Sequence, residues 1–153
     1  KTFGDKHQLF VSALKLYFTK TAKAQKDSRN GEENPIKAIK ASVDSTIDQC
    51  ARGKGCLAVN SLIEVAPFDA EIDRILKQFR QRLDKHLASL VDEAKKKKLV
   101  AKSIDTKEAV RLISVFLHGL SANMASGMSA NKARGLLHDQ LDLVLAPRKK
   151  LQR

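Results

Sequence analysis

Apolar residues recur along this chain at helical spacing from end to end. The clearest stripe runs through Ile72, Leu76, Phe79, Leu83, Leu87, Leu90 and Ala94, at intervals of four, three, four, four, three and four. Such intervals stack side chains on one face of a helix, whereas a strand alternates with period two. Asp69 stands at the N-cap of this segment and Glu71 in its first turn. Lys95 to Lys98 lie at its far end, where the helix dipole favours positive charge.

The rest of the chain divides the same way. Asp5 and Gln8 form a capping-box-like start after Gly4, and Phe10, Leu14, Tyr17 and Phe18 follow, with Leu9, Ala13 and Leu16 widening the stripe. This first helix is predicted to end near Lys26, before a polar loop from Asp27 to Asn34 that contains Asn30-Gly31. Asn34-Pro35 restarts the helix, because asparagine caps free N–H groups and proline at the first position has none to leave unpaired. Ile36, Ile39, Val43, Ile47 and Cys50 carry the second stripe until Gly53-Lys54-Gly55 breaks it. A short apolar segment, Cys56 to Val65, ends at Ala66-Pro67-Phe68.

Asp105 and Glu108 open a helix that is apolar on more than one face. Ala109, Leu112, Ile113, Phe116, Leu120 and Met124 line one side, with Val110 and Leu117 beside them. Gly127 ends it. Ser129 opens a last helix carrying Ala133, Leu136, Leu137, Leu141, Val144 and Leu145 until Pro147. A helix apolar this far round is buried on two sides. Two such helices in succession predict that the final pair also faces a second copy of the chain, as a four-helix seam across a twofold axis.

Composition narrows the class. The 153 residues suffice for one domain with its own core, and 42% hydrophobic with 30% charged residues is a globular balance. No apolar run approaches the roughly 18 to 20 residues that span a bilayer. Residues 1 to 10 lack the apolar region of a signal peptide, so a cytoplasmic protein is expected. A chain that opens at Lys1, with its only methionines at Met124 and Met128, reads as a piece of a longer protein. The formal net charge of +12 permits polyanionic partners, but the basic residues are spread over several helices and a tail, which is the pattern of solvated faces.

Catalytic chemistry finds little footing. No GxSxG, P-loop, HExxH or GxGxxG occurs, and His7, His86, His118 and His138 are scattered, so neither an enzyme nor a cofactor is expected. No Cys/His cluster has zinc spacing. Cys50 and Cys56 flank the Arg52 to Gly55 break. They fit either small buried apolar positions or a redox pair whose thiolate is favoured by nearby Arg52 and Lys54.

Phe3, Gly4, Asp5, Lys6, Leu9 and Phe10 resemble the joint between the DNA-binding head and the body in bacterial transcriptional regulators of the tetracycline-repressor (TetR) family. Gly55-Cys56-Leu57-Ala58-Val59-Asn60, then Ala66-Pro67 and a long helix from Asp69, resembles the middle of one subgroup's regulatory domain. The order of helices agrees. The resemblance implies an all-α bundle of about six helices that dimerises through the last two. Residues 1–5 would be the remnant of a helix-turn-helix head that is otherwise absent, and residues 6–153 the ligand-binding and dimerisation domain.

The family further implies a homodimeric repressor released from operator DNA by a small-molecule effector. Head spacing matters there, because two recognition helices must meet half-sites roughly 34 Å apart. The first helix would be the lever between pocket and head. Candidate pocket residues are Leu14, Tyr17, Phe18, Val43, Ile47, Leu62, Phe79, Leu83, Phe116 and Leu120, with Asn60, Asn123 and His118 as polar contacts. Lys1, Thr2 and Lys6 resemble positions near the DNA backbone, where contacts position without reading sequence. Val110, Leu117, His118, Leu137, Leu141 and Val144 are the candidate dimer interface. The alternative is a helical interaction or scaffold domain without a ligand, which a filled core would favour over an enclosed apolar cavity.

Overall fold

The computed structural model describes residues 5–29, 31–53 and 55–146. Among them lie six α-helices and no strand: α1 (Lys6–Ser28), α2 (Pro35–Gly53), α3 (Leu57–Glu64), α4 (Ala70–Lys96), α5 (Thr106–Ala125) and α6 (Ala130–Leu145). A single turn of 3-10 helix, Ala66–Phe68, joins α3 to α4. The predicted Pro147 stop lies outside the described residues.

The caps are those that the side chains dictate. Asp5 accepts from the Gln8 amide, Asn34 from Ile36, Asp69 from both Glu71 and Ile72, Asp105 from Glu108 and Ser129 from Lys132. Each bond satisfies an amide that a helix start leaves without an intrahelical partner. At the other end of α2 the Gly55 amide returns to the Cys50 carbonyl at 3.0 Å. Gly55 has φ +111°, and a Cβ there would stand 2.9 Å from the Ala125 Cβ. Both the backbone conformation and the close approach of α5 therefore require glycine.

Two hydrophobic clusters hold the helices together. The larger joins α2, the C-terminal half of α4, α5 and α6 through Ile39, Val43, Ile47, Leu87, Leu90, Ile113, Leu117, Leu137 and Leu141. The smaller joins α1 to the N-terminal half of α4 through Val11, Leu14, Phe18, Ile72, Ile75 and Leu76. Tyr17 and Ala58 pack against both. Polar ties reinforce the frame. Asp44 on α2 meets His138 at 2.9 Å and Arg134 at 3.4 Å, both on α6, and His7 on α1 meets Asp69 at 2.8 Å. No helix of the described residues is long and apolar enough to cross a membrane.

Candidate ligand cavity between the first five helices

A cavity of about 140 Å³ lies where the two clusters meet. Its apolar wall is Ala58, Val59 and Leu62 from α3, Leu76, Phe79 and Leu83 from α4, and Leu117 from α5. Its polar wall is Tyr17, Thr21 and Gln25 from α1, Thr46 and Gln49 from α2, Cys56, and His118 and Ser121 from α5. Lys77 and Arg80 also line it and are exposed. A mostly apolar recess with a few convergent polar groups is the usual make-up of a small-molecule site.

The polar wall is organised internally. The Thr21 hydroxyl lies 2.9 Å from the Tyr17 carbonyl and 2.8 Å from Gln49 Oε1, two acceptors that share its one proton. Ser121 donates to the Leu117 carbonyl at 2.8 Å. Tyr17 Oη is 3.4 Å from Cys56 Sγ, and Cys50 Sγ is 3.5 Å from Ser121 Oγ. Both cysteines are free and buried.

Burial and these contacts set the charge states. A hydrogen bond from Cys50 pulls the Cys56 thiol down to about 6, with help from the Tyr17 hydroxyl and the Val59 and Ala58 amides, while burial opposes it. The same contact and burial push the Cys50 thiol up, and burial keeps Tyr17 a neutral phenol. Burial, then the nearby Arg80, lowers the pKa of His118, so its imidazole is uncharged at neutral pH.

The structure brings Tyr17, Leu62, Phe79, Leu83 and His118, from the predicted pocket set, together at this cavity. Phe18 stacks on Phe79, centroids 3.9 Å apart, and faces an open cleft between α1 and α4 that Lys15, Lys26, Arg29 and Arg82 also line. Leu14, Val43, Ile47 and Leu120 are core, because their apolar neighbours fill the space around them. Phe116 packs half-buried against the larger cluster, Asn60 is half-buried on α3, and Asn123 is exposed with its amide donating to the Gly119 carbonyl.

The residues predicted for a dimer seam fall in several environments. Leu117 and His118 line the cavity, Leu137 and Leu141 are fully buried within the chain, and Val110 is buried beside α4. Val144 is half-buried. The broad apolar surface of α6 is consumed largely by its own subunit. The large apolar residues left exposed on the final pair are instead Leu112 and Val115 on α5 and Leu136 and Leu143 on α6. Lys6 is an exposed first residue of α1, while Lys1 and Thr2 lie outside the described residues.

Sequence reasoning missed Thr21, Gln25, Thr46, Gln49, Cys56 and Ser121. The available signal was polarity inside an apolar stripe: Tyr17, Thr21 and Gln25 follow at intervals of four on α1, and Ser114 and Ser121 interrupt α5. Among the described residues no group of three or more His, Cys, Asp or Glu is placed to hold a metal ion.

No family model matches the sequence, and no curated protein matches it. Among solved structures, a protein from Rhodococcus sp. described as a TetR-family transcriptional regulator superposes with a TM-score of 0.77. The two are 18% identical over 95% of this chain and 78% of that one. The chain has the all-helical fold of a TetR-family regulator, in agreement with the resemblance at Phe3 to Phe10 and Gly55 to Pro67.

Proposed function

We propose that residues 6–153 are the ligand-binding and dimerisation domain of a DNA-binding transcriptional regulator, a repressor released from its operator by a small molecule. The observation that carries this reading is the cavity at the junction of α1 with the rest of the bundle, in a fold shared with a transcriptional regulator. An occupant there touches α1 and α2, α3, α4 and α5 at once, so it can bias the angle of α1 and of a head attached before it. The ligand must favour the spacing that does not fit DNA over the one that does. A cavity at the meeting of five helices also speaks against a scaffold with a filled core.

The dimer seam in this reading is the exposed apolar face of α5 and α6, Leu112, Val115, Leu136 and Leu143. Gly119 and Gly135 have open space where a Cβ would stand, which allows a partner helix to approach closely. The reading is tested by screening small molecules for thermal stabilisation of the chain and of Ala58→Leu, which fills the cavity wall. A ligand at about one hundred times its Kd stabilises the parent by about 2.7 kcal/mol, and Ala58→Leu loses most of that. Equal stabilisation of both proteins, or no ligand from a broad screen, overturns the cavity assignment.

A further inference from the structure

Cys56 lines the cavity with a free thiol, and a second free thiol, Cys50, is buried behind the same wall. The Cys56 sulfur lies 3.4 Å from the Tyr17 hydroxyl, Cys56 is the N-cap residue of α3, and the Cys50 thiol is near enough to lower the Cys56 pKa. Cys50, fully buried at the last turns of α2, is backed by Ser121, whose own proton goes to the Leu117 carbonyl. Gly55, one residue before Cys56, packs so close to Ala125 that a Cβ there would stand 2.9 Å from the Ala125 Cβ.

We propose that Cys56 and Cys50 form an oxidant-sensing thiol pair in the wall of the cavity, with Cys56 as the attacking and Cys50 as the resolving sulfur, and that its substrate is a small organic hydroperoxide. The cavity admits an apolar body, and Cys56 meets it at the wall. The Cys56 thiolate attacks the distal oxygen, the O–O bond breaks, and the alkoxide leaves as an alcohol after taking a proton. Cys56 is then a sulfenic acid. The Cys50 sulfur attacks the Cys56 sulfur, the S–S bond forms and the S–O bond breaks, and the Cys50 proton leaves with the hydroxide as water. Two thiols are oxidised to a disulfide while the hydroperoxide is reduced to alcohol and water. The lowered pKa of Cys56 supplies thiolate at neutral pH. In the disulfide Cys56 no longer offers Tyr17 an anionic acceptor, so α1 loses its polar tie to α3. This regulatory consequence rests on the function proposed above; the thiol chemistry does not.

The test is exposure of the reduced protein to a few equivalents of tert-butyl hydroperoxide, followed by intact mass and peptide mapping. The expected result is a loss of two hydrogens and a linked peptide pair containing Cys50 and Cys56, formed within one chain. Cys50→Ala stops at a sulfenic acid on Cys56 that a cyclic dione traps, and Cys56→Ala consumes peroxide at least about tenfold more slowly. Two free thiols persisting in the parent, with oxygen added only to Met124 and Met128, overturns the proposal whether or not the variants fold. Operator affinity of the intact regulator is measured before and after oxidation. A disulfide that forms without changing that affinity upholds the thiol pair and removes its coupling to DNA.

Discussion

The two hydrophobic clusters do different work. The larger draws on five helices, α2 to α6, and contains the fully buried Ile39, Ile47, Leu87, Ile113, Leu137 and Leu141. It fixes α2, α5 and α6 as one platform, with Asp44 clamping His138 and Arg134 at its edge. α1 packs chiefly on α2, partly through the polar pair Thr21 and Gln49, and the smaller cluster adds its apolar contact with the first half of α4. The helix that would transmit a signal thus contributes no fully buried side chain to the larger cluster, meeting it through Tyr17, and the cavity sits along that boundary.

Equivalent truncations on the two sides should separate these roles. Leu141→Ala should lower global stability by about 3 kcal/mol, since a buried leucine leaves both lost burial and a cavity. For a chain of this size that moves the melting midpoint by about 10 °C. Leu14→Ala removes an equally buried side chain, yet hydrogen exchange should accelerate chiefly in α1 while α5 and α6 amides keep their protection. Matching acceleration in all six helices would show one cooperative core rather than two.

A smaller effect follows from His118. Its folded pKa lies below the ordinary 6.5, so the unfolded chain binds the proton more readily. Its contribution is fully present above that value and is lost as pH falls through it. Melting midpoints between pH 8 and pH 5 should drop on the acid side, and His118→Gln should flatten the drop; an unchanged slope would remove His118 as its cause. The smallest effect is expected for Asp44→Asn, below about 1 kcal/mol, because the pair with Arg134 and His138 is partly open to water. A larger loss by chemical denaturation would mean that the platform depends on this clamp more than on its leucines.

The helices were legible because each start carries its own cap and each stripe its own period. Asp5, Asn34, Asp69, Asp105 and Ser129 mark starts without reference to any other part of the chain. The boundary between the clusters was not legible, since it depends on which half of α4 each neighbour covers. That is why Leu14 and Val43 read as pocket residues alongside Tyr17: all lie on inward faces, and only packing distinguishes a filled position from a lining one. The outward face of α6 was hard to read for a related reason. Leu137 and Leu143 both lie on α6, but the first is fully buried and the second 77% exposed.

The shared proton of Thr21 and the committed proton of Ser121 have a bearing on selectivity. Both hydroxyls spend their hydrogen on internal carbonyl or amide oxygens, so what they present to a guest is lone pairs. At those two points the cavity is a Lewis base. In the function proposed above, a guest bringing an O–H or N–H to those two points would be accommodated. An ether or ester oxygen placed there would meet oxygen and would have to turn to the N–H groups of Gln49 or His118 instead.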